Sequence, residues 1–343
     1  MCPQTLDSES ILGASMASPC FGNHDSAYAN GDGNVADHDS IPAPGSDEPS
    51  TDWQEEVRHG GSLRHVDLET GVNGWASPPG RLFQVRGSKY FSKKHKSASG
   101  DSLFKPLGVD WLRSHCKLEH ALARRDNRVM QALLRAHARG QSSKSFIFAV
   151  NLQIPGRDFH HAIFYFVTDE PILHGSLLHR FIHEEDDAFR NSRFKLVNRI
   201  VKGPWIVRAT VGNYAACLLG KALTCNYYKG SNYFEIDVDI SSSALANAIL
   251  HLALGYINSV TVDMAFLIEA QAEEELPERI LGAVRIAQIE MSSARVVEEP
   301  LDDSPRMPVR ESSWKKFSRS ISLLGQGSKS FKDKDKEARV CET

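Results

Sequence analysis

The stretch FRNSRFKLVNRIVKGPWIVRATVGNYAACLLGKALTCNYYKGSNYFEIDVDI, residues 189–240, decides the fold class. Short apolar segments alternate with polar residues at period two, the pattern of half-buried strands. They are punctuated by Gly203-Pro204, Gly212-Asn213 and Lys229-Gly230-Ser231-Asn232, turn signals spaced for consecutive antiparallel strands. The last pair is the clearest: residues 217–228, a four-residue turn and residues 233–240 spell a hairpin. No catalytic signature interrupts the stretch.

Upstream, Asp126 caps a predicted helix whose apolar face is Val129, Met130, Leu133, Leu134 and Ala136, ending at Gly140. Phe146, Phe148, Val150, Leu152 and Ile154 then share one face of a strand, Pro155-Gly156 turns the chain, and residues 162–167 return as a wholly apolar strand suited to the middle of a sheet. Residues 175–183 read as a short helix packing Leu177, Leu178, Phe181 and Ile182. Downstream, residues 244–262 carry no charge and reach the length of a membrane span. Against a span, Asn247, His251 and Asn258 form a polar stripe, and no basic cluster marks a cytoplasmic flank. From Val260 the texture alternates like a strand. The spacing therefore predicts a buried helix from Ser242 to about Asn258, then a strand, a helical turn at 276–281 and a closing strand at 283–291. The sum is an α+β domain: a curved antiparallel sheet packed on that long buried helix, with smaller helices on the N-terminal side. Helix-grip lipid carriers have the same shape, a fold-level analogy.

The ends differ in composition. Residues 1–50 are dominated by Ser, Gly, Asp, Asn and Pro, and residues 299–343 turn polar again. Such segments bury too little apolar surface to offset their ordering entropy, so both are predicted to be disordered, with one domain over residues 51–298. The net charge of −3 hides an acidic head and, after Ser304, a basic tail. Neither pattern supports nucleic-acid binding. Six cysteines without a CxxC pair, and an N-terminus without a secretory apolar region, point to reduced thiols in the cytosol. Cys217 and Cys225, if they share one strand, stand roughly 27 Å apart and cannot pair. Cys rather than Gly at position two excludes N-myristoylation.

Several residues invite a chemical reading. Glu235, Asp237 and Asp239 line one strand face opposite Phe234, Ile236, Val238 and Ile240. Three aligned carboxylates could hold a divalent cation, but a solvated face paired with Lys221 or Lys229 is the favoured reading. His179 and His183 stand four apart, as zinc ligands can, yet no third ligand or HExxH glutamate accompanies them. No metal and no cofactor is therefore expected. Gly-rich phosphate loops and a GxSxG elbow are absent, and Ser176 reads as a helix cap. Trp205 is expected against the core rather than at a pocket rim. Nothing assembles a nucleophile, base and orienter, so no enzyme is expected. Should the domain take an apolar ligand, Trp205, Tyr227, Tyr233, Asn247 and His251 are the candidate contacts. In the tail, Trp314, Phe317, Ile321 and Leu324 form one helical stripe with Lys315, Lys316 and Arg319 beside it. Such a stripe suits an anionic membrane or a partner groove.

The motifs Arg190-Asn191-Ser192-Arg193, Lys202-Gly203-Pro204-Trp205-Ile206-Val207, Leu218-Leu219-Gly220-Lys221-Ala222, Asn232-Tyr233-Phe234-Glu235-Ile236-Asp237-Val238-Asp239 and Leu276-Pro277-Glu278-Arg279 carry a resemblance. Almost word for word, the chain resembles the plant C-terminal domain named after the Enhanced Disease Resistance Two protein, from about Trp53 to about Val297. Longer relatives carry a pleckstrin-homology module and a StAR-related lipid-transfer module ahead of this domain. The region before Trp53 is too short for either, so the resemblance implies a short, free-standing form. Two readings follow. One is a non-catalytic cytosolic domain that binds a lipid or another apolar ligand, with peripheral membrane contact through the tail. The other is a protein-interaction or regulatory scaffold. For both, the family name implies plant defence or cell-death control.

Overall fold

The computed structural model describes residues 52–141 and 144–297. The expected disordered ends, and the tail residues Trp314, Lys315, Lys316, Phe317 and Arg319, lie outside them. The alternating segments form strands β1 (Arg64–His65), β2 (Gly74–Ala76), β3 (Gln84–Arg86), β4 (Lys96–Ala98), β5 (Lys105–Ser114), β6 (Phe146–Ile154), β7 (Phe159–Thr168), β8 (Phe194–Lys202), β9 (Tyr214–Leu218), β10 (Thr224–Lys229), β11 (Tyr233–Asp239), β12 (Thr261–Ile268), β13 (Ile280–Ala287) and β14 (Arg295–Val296). The helices are α1 (Trp53–His59), α2 (Tyr90–Lys93), α3 (Arg128–Ala138), α4 (Leu177–His183), α5 (Asp187–Asn191), α6 (Trp205–Val211), α7 (Leu219–Ala222) and α8 (Ala244–Leu254).

The fold is α+β, built on two six-stranded sheets rather than one. A front sheet runs β10-β11-β6-β7-β5-β14 and a back sheet β1-β2-β13-β12-β8-β9. Neighbours are antiparallel except β11/β6, β14/β5 and β1/β2, which are parallel. The sheets lie face to face, and their inner faces supply the main core. Phe148, Phe164 and Phe166 of the front sheet meet Phe194 and Phe266 of the back one, with the Phe164 and Phe266 ring centroids 5.7 Å apart. Outside the front sheet, Trp53 and Val57 of α1 and Val129, Ala132, Leu133 and Ala136 of α3 cover Ile147, Ala149, Ile163 and Tyr165. Outside the back sheet, Phe83 and Val85 from the β3–β4 ribbon pack on Val197, Ala265 and Leu267.

The buried long helix is corrected. The helical part is only Ala244–Leu254, begun by Ser243, whose side chain accepts from the Ala246 N–H. Ser242 belongs to a preceding 3-10 turn, and none of the helix's residues is buried. Ala246, Leu250 and Leu254 rest against the edge of the core while Leu245 is 71% exposed. A chargeless sequence reads as buried on every side, but α8 uses one face only. The sheets cover each other instead of gripping it. Among the described residues no helix is long and apolar enough to cross a membrane.

The segment expected as one strand over 217–228 is also two. Cys217 ends in β9 of the back sheet and Cys225 in β10 of the front sheet, with α7 between them. Gly220 is required at that crossover, because a Cβ there would lie 2.4 Å from the Asn191 Cα. The β10–β11 hairpin itself forms as expected, with Tyr227 opposite Ile236.

Candidate functional site

A groove opens where β7 and β12 end and β5 and β13 begin. The segment before β5 crosses between the sheets there: the Leu103 and Phe104 N–H groups donate to the carbonyls of Ile280 and Leu281, at 3.0 and 2.8 Å. The groove encloses about 440 Å³, within the roughly 300–1,000 Å³ range of small-molecule sites. Its walls include Leu103, Ile172, Leu177, Leu178, Ile268 and Leu281, and Leu173 stands at its lip, 76% exposed. Leu177 and Leu178 face it because Ser176 caps α4, accepting from the His179 N–H at 3.1 Å.

Of the three carboxylates lining the groove, the exposed Glu170 stands at its margin and the two inner ones are already engaged. Glu278 accepts from the N–H groups of Arg86 (2.9 Å) and Ala270 (3.2 Å) and lies 3.5 Å from Lys195 Nζ. Glu275 accepts from Arg193 Nη1 at 2.7 Å and from the Gln271 N–H at 2.7 Å. Burial alone would raise the Glu275 pKa, but these donors outweigh it and hold it below the usual carboxylate range. The groove thus offers apolar walls with few free polar groups. That suits a hydrocarbon ligand better than a charged one.

The carboxylate face of β11 is buried, which corrects the expected solvated strand. Glu235 and Asp237 are fully enclosed beneath residues 117–122. The Ala121 and Leu122 N–H groups donate to Glu235 at 2.6 and 2.8 Å, and the His120 N–H donates to Asp237 at 2.9 Å. Asn151 Nδ2 donates both to Asp237 (3.0 Å) and to the Leu118 carbonyl (2.8 Å), tying sheet and segment together. At the edge, Lys117 pairs with Asp239 at 2.5 Å, in place of Lys221 or Lys229. Burial pushes Glu235 up to about 8, with the neighbouring Asp237 charge adding to it. Burial pushes Asp237 up to about 6, opposed by the His120 N–H and by Asn151. In the same layer, His161 Nε2 accepts from the Leu118 N–H at 3.3 Å, and burial holds its pKa down to about 4. The layer is a fastening for a loop, with its acceptors occupied. Among the described residues no group of three or more His, Cys, Asp or Glu is placed to hold a metal ion. His179 and His183 instead stack with ring centroids 4.4 Å apart, and His174 lies 4.4 Å beyond His179.

None of the five candidate ligand contacts lines the groove. Trp205 is 79% exposed, not packed in the core: it is the first residue of α6, directed outward after Pro204. Tyr227 is half-buried on the inner side, stacked on Phe234, with its hydroxyl donating to Asn191 Oδ1 at 2.9 Å. Tyr233 points to the opposite side, its hydroxyl 2.7 Å from His120 Nε2. Asn247 and His251 sit on α8; the Asn247 Oδ1 is enclosed without a partner, and His251 is exposed. The groove residues went unnoticed in sequence because they come from four separate segments. Leu177 and Leu178 drew attention as a helix face, Ser176 as its cap and Pro277-Glu278-Arg279 within a motif, none of them as parts of one groove.

The chain matches a family model described as Protein ENHANCED DISEASE RESISTANCE 2, C-terminal, over residues 75–290. That span takes in most of both sheets, leaving out the edge strands β1 and β14, and all of the groove walls. A curated Arabidopsis thaliana protein, "Protein ENHANCED DISEASE RESISTANCE 2-like", is 44% identical over 236 residues, covering 69% of this chain and 31% of that protein. The chain thus spans about a third of the relative's length.

Proposed function

The chain belongs to the ENHANCED DISEASE RESISTANCE 2 C-terminal family, and from that premise we propose that it is a non-catalytic module whose groove takes an apolar ligand, a lipid hydrocarbon chain in the first place. The observation that carries the reading is the groove itself: about 440 Å³ walled largely by aliphatic side chains, with its inner carboxylates Glu275 and Glu278 already paired with Arg193 and Lys195. The relative's name speaks of disease resistance, and we extend a role in plant defence to this chain. We place it in the cytoplasm, with peripheral membrane contact through the basic tail that carries Trp314, Lys315, Lys316, Phe317 and Arg319.

Native mass spectrometry of the full chain purified from a eukaryotic host tests the ligand. A retained lipid is expected as added mass, lost in a Leu178→Trp variant that fills the groove while keeping the fold. Wild-type protein that never carries or takes up lipid would leave the scaffold reading in its place.

A further inference from the structure

At the end of the sandwich opposite the groove, α6 begins just past the end of β8, after Gly203 and Pro204, and packs beside α8. The register sets this position: Lys202 at the end of β8 pairs with Thr261 at the start of β12, and Asp239 at the end of β11 pairs with Gln153 near the end of β6. The two helices form an apolar surface with little cover. Trp205 is 79% and Leu245 71% exposed, and Tyr256, just beyond α8, is 37% exposed. The charged side chains of the segments that carry Trp205 and α8 are of one sign. Lys202 and Arg208, three residues to either side, are both exposed. Residues 188–234 contain no Asp or Glu, and residues 240–262 contain no charge at all. A patch of one sign is met by a surface of the opposite charge. An apolar face with Trp and Tyr at its margin, whose own segments carry only cations, has the chemistry of an anionic lipid interface.

We propose that the α6–α8 surface docks on an anionic membrane, with Trp205 and Leu245 entering the interface and Lys202 and Arg208 meeting the headgroups. The docked domain would hold the groove at the far end, away from the bilayer. This surface is separate from both the groove and the basic tail, so its failure leaves the ligand reading intact.

The test is flotation of the full chain with phosphatidylcholine vesicles, with and without phosphatidylserine, in a background where Lys315→Glu, Lys316→Glu and Arg319→Glu silence the tail. Binding to the phosphatidylserine vesicles is expected to persist in that background. Trp205→Ser with Leu245→Ser should weaken it by about tenfold or more, since each side chain forfeits its apolar burial. Lys202→Glu with Arg208→Glu should abolish the preference for phosphatidylserine. Because all four side chains are exposed, the variants should melt as the parent does. Hydrogen exchange on the vesicles should slow in peptides from α6 and α8. Loss of all binding in the tail-silenced background, equal binding by the Trp205/Leu245 variant, or protection mapping elsewhere would each overturn the proposal.

Discussion

Glu235 and Asp237 stand two residues apart on β11 with both carboxyls turned to the covered side, and both accept from the backbone of the same short segment, His120–Leu122. The arrangement gives the loop over the front sheet its fixed seat and also stores a pH dependence. A carboxyl raised to about 8 in the folded chain binds its proton more tightly than in the unfolded chain. Its contribution to stability is therefore fully present below the unfolded pKa and is lost as pH rises toward 8.

His161 in the same layer has the opposite sign. Lowered to about 4, it contributes stability above its unfolded value near 6.5 that is lost as pH falls toward 4. Below about pH 6 the losses from Glu235 and Asp237 with rising pH together outweigh the gain from His161; between about 6.5 and 8 only Glu235 of this layer titrates. Unfolding free energy should fall across that upper window by about 1 kcal/mol per pH unit, the order set by one proton. Glu235→Gln should flatten the slope while costing about 1–2 kcal/mol at pH 6, since one N–H of the pair loses its acceptor. Chemical denaturation at several pH values reads both; an unchanged slope in the variant would show that Glu235 does not titrate there.

A second buried charge holds three strands of the back sheet in register. Asp263 on β12 lies opposite Arg285 of β13 and Arg199 of β8. Arg285 Nε reaches it at 2.5 Å and Arg199 Nη2 at 2.6 Å. Asp263→Ala strands the Arg285 guanidinium in the interior, and should cost about 3–5 kcal/mol in urea denaturation. Adding Arg285→Met should recover most of the loss, because the pair's worth depends on both members. A double variant as unstable as the single one would place the cost in packing rather than in the unpaired charge.

These two clusters also show what sequence carries and what it does not. The alternation of Phe146–Ile154 and the turn before Tyr233 were legible, because period two and a Gly-bearing turn are local facts. α3 and α4 were legible for the same reason, although Leu134 proved exposed and Asn127, rather than Asp126, caps α3. Whether the polar side of a strand is wet depends on what lies over it. Here the cover is residues 117–122, a segment with no periodicity. The crossover at Gly220 between the sheets, and the groove drawn from four segments, are non-local in the same sense. Chargelessness in α8 indicated low polarity without saying which face was buried.

The sheets approach closely at Gly282 of β13. A Cβ there would sit 2.3 Å from the Phe166 ring across the core. Gly282→Ala should therefore destabilise by about 1–3 kcal/mol through overpacking. Phe166→Leu, which costs stability alone, should cost less in the Gly282→Ala background than in the wild type. That coupling, measured by a double-mutant cycle, should vanish if the two sheets do not face each other at this point.

The position of α8 gives a prediction that separates the one-sheet expectation from the sandwich. Leu245 and Leu250 lie on different sides of the helix: the first is 71% exposed, the second rests on the core. Were α8 gripped inside a curved sheet, Asp at either site would bury a charge and cost several kcal/mol. On the sandwich, Leu245→Asp removes no buried contact and should shift stability by about 0.5 kcal/mol or less. Leu250→Asp forces a carboxylate against the core edge and should lower the melting temperature markedly. Thermal unfolding of the two variants, side by side with wild type, decides it. Equal loss at both positions would return the helix to the interior, whereas a loss confined to Leu250 fixes α8 as a surface helix with one working face.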